Sequence, residues 1–199
     1  MSKNNTYNEK RDLEKSPEPS DSGSAGSGDR PVFVIQKHDA SSLHYDFRLE
    51  IDGSLKSWAI PKGPSTDPSD KRLAIPTEDH PLDYADFEGV IPEDQYGGGT
   101  VMVWDTGTFE NLKKKDGSEV PLPTCYENGQ IEINLKGEKI SGGYALVLTG
   151  SHKMDDNWLL IKMDDDDADA RRNPTSTENK SVKTGRTMKQ IENEEKEND

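Results

Sequence analysis

The stretch Ile35–Gly53, IQKHDASSLHYDFRLEIDG, decides how the rest of the chain is read. Leu43, Tyr45, Phe47 and Leu49 alternate with His44, Asp46, Arg48 and Glu50. Side chains of a strand point to opposite faces in turn, so one apolar face meets a core and the other is polar. Asp52-Gly53 then separates this run from the alternating SLKSWAI, a tight-hairpin signal because both turn positions need positive φ. The open matter is why a strand would carry an imidazole, a carboxylate, a guanidinium and a second carboxylate in succession on its second face.

Working outward, VFVIQKH precedes this run and PKGPSTDPSD, a proline loop, follows the hairpin. KRLAIPTE reads as a strand, and DHPLDYADFEGVIPEDQYGGG as irregular. TVMVWDTGTFEN is expected to be a hairpin around Thr106-Gly107, with GQIEINL, GYALVLTG and NWLLIKM as later strands. About eight strands with little helix predict a mainly β fold, an antiparallel small β-barrel or sandwich. QYGGGT lacks the lysine and following helix of a phosphate loop, so its glycines imply a hinge or a close backbone approach.

The 199 residues hold one such domain with tails. Residues 31–163 are expected to form it. Residues 1–30 read as an arm and a Pro/Ser/Gly linker, and residues 164–199 as an acidic, flexible tail with a short helix capped by Thr187. A net charge of −14 excludes a broad basic face for nucleic acid, though not a local positive pocket or a bound cation. One cysteine excludes a disulfide framework. With no long apolar run the expectation is a cytoplasmic protein with no membrane partner.

On one strand, His44 and Asp46 stand about 7 Å apart on the same face and can converge on one ion. Arg48, a step further, has the wrong charge for a ligand and the planar fork that suits a phosphate oxygen. His38 lies too far along a straight strand and reaches the same ion only if residues 39–43 fold back sharply. His80 sits in a loop, where functional groups concentrate. Lys62 and Arg72 flank the proline loop as candidate outer cations, and His152 reads as a surface histidine. A lone His-x-Asp is also what an ordinary solvated sheet face displays.

FVIQKHDASSLHYDFRLEIDGSLKSWAIPKGPS, KRLAIPTEDHPLDYADFEGVIPEDQYGGGTVMVWDTGTF and WLLIK together resemble the 3′-phosphoesterase domain of bacterial DNA ligase D and its free-standing archaeal relatives. The arm KRDLEKSPEPS is similar to that family's N-terminal segment, and TGRTMKQI to a segment that follows the domain in ligase D. The resemblance implies a barrel that uses Mn2+, or another divalent ion such as Co2+ or Zn2+, to trim 3′ ends of DNA and RNA. His38, His44 and Asp46 would hold the metal. Arg48 and His80 would contact the scissile phosphate with Tyr84 close by, and Gln36, Lys62, Arg72 and Glu78 would complete the pocket. Arg11, Asp12 and Glu18 match important positions in the arm, which would then close over the site. The implied reaction removes a terminal ribonucleoside, then the remaining 3′-phosphate. A protonated His80 would offset charge on the phosphoryl oxygens or protonate a leaving oxygen. Implied partners are nucleic acid 3′ ends, with an ATP-dependent DNA ligase, a polymerase and a Ku-like end-binding protein acting in trans.

Two other readings fit parts of the pattern. His44, Asp46 and His80 match the two-His-one-carboxylate set of a non-haem iron oxygenase, which leaves His38 without a task. A DNA-end-binding module without turnover would keep the same residues.

Overall fold

Strand pairing closes on itself in the computed structural model, which describes residues 5–20, 30–150 and 157–198. The strands are β1 (Val32–Asp39), β2 (Leu43–Ile51), β3 (Ser54–Ile60), β4 (Lys71–Pro76), β5 (Gly89–Ile91), β6 (Gly99–Asn111), β7 (Lys114–Lys115), β8 (Ser118–Glu119), β9 (Gln130–Gly137), β10 (Ser141–Leu148) and β11 (Trp158–Lys162). Among the described residues four short α-helices accompany them, α1 (Asn5–Glu9), α2 (Leu122–Glu127), α3 (Pro174–Thr177) and α4 (Met188–Asn198), with a 3-10 turn at Leu82–Asp86. The antiparallel order β1-β2-β3-β4-β11-β10-β9-β6 returns to β1, giving an eight-stranded closed barrel without free edges. Phe33, Phe47, Trp58, Trp104, Phe109, Tyr144 and Leu160 belong to its apolar core. No described helix is long and apolar enough to cross a membrane.

The expected bends form as local chemistry dictates. Asp52 and Gly53 both take positive φ (54° and 76°) and join β2 to β3, with Ile51 opposite Ser54. Residues 40–42 fold β1 back on β2, with His38 directly opposite His44. Thr106-Gly107, in contrast, is no turn. β6 runs unbroken through it, paired to β1 on one side and β9 on the other. The β1–β6 register slips between Ile35 and Gln36, a bulge at Trp104, while Thr106 and Gly107 stay in regular pairing with Val34 and Phe33. Glycine is required at 107 because a Cβ there would lie 2.0 Å from the Lys136 carbonyl oxygen.

β2 is buried on both faces, although Leu43 at its tip is 47% exposed. Tyr45, Phe47 and Leu49 enter the barrel core. The opposite face is covered by a second apolar cluster of Tyr7, Leu55, Tyr84, Phe87, Ile91 and Val101. That cluster joins the arm and the 80–91 segment to the outer wall. Residues 5–20 of the arm are docked on the barrel wall; Tyr7 is fully buried and its hydroxyl donates to the Pro19 carbonyl at 2.9 Å. The linker at 21–29 and His152 lie outside the described residues.

Residues 164–198 also differ from the expected flexible tail. Ile191 is buried in the main core, and the indole Nε1 of Trp104 donates to the Glu178 carbonyl at 2.7 Å. The Val182 N–H donates to the Val103 carbonyl at 3.0 Å. The acidic run is not merely solvated: Asp165 accepts from the Gly143 N–H and pairs with buried Lys162. Thr187 and Gln190 cap each other's backbone N–H at the start of α4, as a capping box does. Low apolar content hid this strap because a few anchoring residues suffice when the polar groups bind barrel backbone.

Candidate metal centre and its pocket

The β1–β2 turn sets the centre. With His38 and His44 in register, their rings lie 4.8 Å apart between centroids. Two residues on, Asp46 points from the same face, its carboxylate 3.4 Å from Nδ1 of His38 and 3.6 Å from Nε2 of His44. One ligand atom from each of the three residues falls within 4.8 Å of the others. The remaining ring nitrogens face backbone carbonyls: His38 Nε2 to Gly97 at 2.9 Å and His44 Nδ1 to Ser42 at 2.9 Å. With a metal bound, donation to those carbonyls would turn the inward nitrogens' lone pairs toward it, the arrangement a ligand histidine needs. Two imidazoles and one carboxylate suit a divalent transition metal such as manganese, cobalt or zinc.

Charge fits this use. Burial works against an ionised Asp46, but Arg48 and hydrogen bonds from the two histidines outweigh it and hold the carboxyl well below its usual range. The hydrogen bond to Asp46 raises His44 above its ordinary value, against the effect of burial.

Arg48 is fixed on nearly every side. Its Nε donates to Gln36 at 2.7 Å, Nη1 donates to Ser57 at 2.9 Å, and Nη2 lies 3.3 Å from Asp46. Gln36 in turn donates to the Tyr84 and Phe87 carbonyls at 2.9 Å each, so it orients Arg48 rather than lining the cavity. Ser57 was not foreseen; it stands opposite Arg48 in the β2–β3 register, and only that register reveals it.

His80 exchanges both backbone hydrogen bonds with Leu55, which pins an otherwise irregular segment to β3. Its Nδ1 lies 3.0 Å from Nη1 of Arg48 and 2.9 Å from the Glu78 carbonyl. Burial first, then the charges of Arg48 and Arg11, push its pKa well below the ordinary histidine value. The ring is therefore neutral, which corrects the expectation of a protonated His80. Nor does it join His44 and Asp46 around an ion, as an oxygenase triad built on it requires, because His38 takes that place.

The arm closes the pocket. Arg11 donates through Nε to Glu18 and through Nη2 to Glu78, each at 2.9 Å, and Nη2 lies 3.4 Å from Nε2 of His80. The Tyr84 hydroxyl donates to Glu18 at 3.0 Å. Burial raises Tyr84 well above the ordinary tyrosine value, so it stays a donor. Burial also opposes the charge of Glu78, but Arg11 and Lys10 leave its carboxyl below the usual range. The resulting cavity, of about 260 Å³, is bounded by Arg11, Glu18, His38, His44, Asp46, Arg48, Glu78, His80 and Tyr84, with Tyr96 and Gly97 at its side.

Three foreseen residues stand apart. Lys62 is exposed beyond β3. Arg72 bonds Asp70 at 2.9 Å and lines a different cleft with Arg172 and Asn173. Asp12 pairs with Lys15, and its carbonyl closes the turn at 12–16. Tyr7 and Tyr96, in contrast, belong to the assembly but carry no sequence signal beyond being aromatic.

The DNA ligase D 3′-phosphoesterase domain matches residues 36–148. The chain is 48% identical over 170 residues to the multifunctional non-homologous end joining protein LigD of Pseudomonas aeruginosa, covering 81% of this chain and 19% of that protein. It is 46% identical over 157 residues to the multifunctional non-homologous end joining DNA repair protein LigD of Mycobacterium tuberculosis (79% and 19%). Against the LigD protein of Mycolicibacterium smegmatis it is 42% identical over 160 residues (80% and 20%). The chain thus spans about a fifth of the length of the curated relatives it matches.

Proposed function

The chain belongs to the DNA ligase D 3′-phosphoesterase domain family, and from that premise we propose that it is a metal-dependent phosphoesterase that heals nucleic acid 3′ ends for joining. The observation that carries this reading is the convergence of His38, His44 and Asp46 beside the clamped guanidinium of Arg48. The three would hold a divalent ion, with Mn2+ the first choice, and the ion would polarise a phosphoryl oxygen and lower the pKa of a bound water.

The chain's own groups do the rest. Arg48, held by Gln36 and Ser57, presents a preorganised fork to phosphoryl oxygens as they gain charge. His80, neutral, offers a lone pair rather than a charge. A bound phosphate dianion would offset Arg48 and Arg11 and so raise its basicity, letting it take a proton from the attacking group. Arg11, held by Glu18 and Glu78, adds positive charge beside the same oxygens, and Tyr84, whose hydroxyl goes to Glu18, packs against His80. On a ribonucleoside-terminated strand, water attack breaks the bond to the 5′ oxygen of the last nucleoside and leaves a 3′-phosphate. A second attack releases inorganic phosphate and leaves the 3′-hydroxyl that a DNA ligase consumes. Any polymerase, ligase or Ku-like partner acts on the ends around this step.

The test is a 3′-phosphate primer–template incubated with protein and Mn2+. Release of phosphate that stops on chelation supports the proposal. Binding of the primer without release would instead mark an end-binding module.

A further inference from the structure

The pocket's side wall holds a large aromatic ring that the reaction above does not use. Tyr96 is 49% exposed, high for a side chain of that size, yet it lines the same cavity as the metal ligands. Its orientation is fixed rather than loose: the hydroxyl donates to Glu78 at 3.2 Å, and the Lys10 ammonium and Arg11 guanidinium stand 5.1 Å and 5.3 Å from the ring centroid. The next residue, Gly97, has a φ of 77° and gives its carbonyl to His38 at 2.9 Å. Adjacent residues of one loop therefore fix a ring at the cavity wall and the tautomer of a metal ligand. Gly98 and Gly99 let the loop lie close to the chain, since a Cβ at 99 would meet the Asp39 carbonyl oxygen at 2.2 Å.

We propose that Tyr96 is the stacking platform for the nucleobase next to the scissile phosphate, and that it selects ends bearing a base over ends that present only a sugar phosphate. A half-exposed ring against cations beside a phosphate-sized cavity has the chemistry single-stranded ends require. Stacking accepts every base because each has a π-face, and it costs the protein no positive charge. This accounts for how an acidic chain, at −14, grips a polyanion: the cationic contribution is local and an aromatic contact supplies the remainder. The inference rests on the phosphoesterase reading and names a substrate-selecting residue for it.

Two changes are combined: Tyr96→Ala in the protein, and removal of the terminal base from a 3′-phosphate oligonucleotide. Phosphate release is measured as kcat/KM. Wild type should prefer the base-bearing end by about tenfold, the scale of one stacked base. Tyr96→Ala should lose that preference, and Tyr96→Phe, which keeps the ring but not the bond to Glu78, should retain it. If wild type releases phosphate and Tyr96→Ala discriminates as well as wild type, the platform is elsewhere and this inference fails alone. If wild type releases no phosphate from either end, the phosphoesterase reading fails with it.

Discussion

Nδ1 of His80 lies 3.0 Å from Nη1 of Arg48 in a buried pocket, and Arg11 approaches the other ring nitrogen at 3.4 Å. An imidazole between two guanidinium groups gives up its proton. The unfolded chain binds a proton there below about pH 6.5, whereas the folded chain does not. Stability of the metal-free protein should therefore fall as pH drops from about 6.5 to 5, by up to about 1.4 kcal/mol per pH unit. His44, raised by Asp46, acts in the opposite sense and above this window. Melting curves of wild type and His80→Asn decide the matter. The variant should lose the slope, and an identical slope would show that His80 is not the cause.

Arg48→Lys keeps the charge but cannot reach Gln36, Ser57 and the phosphate together. Turnover should fall by about 10²-fold or more while metal affinity is retained. Loss of the metal in this variant would place Arg48 in the ligand set instead.

Asp46→Asn is nearly isosteric but removes the anionic ligand between the two imidazoles. Calorimetric titration with Mn2+ should show affinity reduced by more than about 100-fold, beyond what an outer-sphere contact is worth. Unchanged affinity would rule out the centre at His38, His44 and Asp46.

Tyr7 packs edge-on against His80 and Tyr84, with ring centroids 5.2 Å and 5.9 Å away, and is the apolar anchor of the arm. Tyr7→Ala should release residues 5–20, seen as faster amide hydrogen exchange there, and should lower turnover by removing Arg11 and Glu18 from the pocket. An arm that stays protected in this variant would show that Arg11 and its carboxylates hold it unaided.

Ile191 tests the strap in the same way. Ile191→Ala should cost about 2–5 kcal/mol, the range for truncating a buried isoleucine. A change below about 0.5 kcal/mol in chemical denaturation would mean that residues 164–198 are not integral to the folded domain.

What the sequence revealed depended on distance along the chain. The period of Leu43, Tyr45, Phe47 and Leu49, the Asp52-Gly53 turn and the fold-back before His44 are local, and each could be read from a few neighbours. Resemblance then supplied Tyr84, Arg11 and Glu18, which lie far from β2 in sequence. The rest needed pairing partners. Ser57 becomes visible only when the β2–β3 register is known, and the β6 bulge only when β1 is laid beside it. The charge state of His80 follows from its burial and from two arginines, 32 and 69 positions away. Arg72 and Lys62 match the family pattern, yet here the chain turns them to other surfaces.

His38, His44 and Asp46 come from a single hairpin, whereas barrel closure waits for β1 to meet β6, with Val32 finding Thr108. Bringing neighbouring residues together needs far less loop-closure entropy than joining remote ones. A chain emerging from its N-terminal end thus exposes the three donor groups before the wall behind them exists. The β1–β2 hairpin is therefore expected to form before the barrel closes, an order that pulsed hydrogen exchange comparing β1 and β2 with β6 would check.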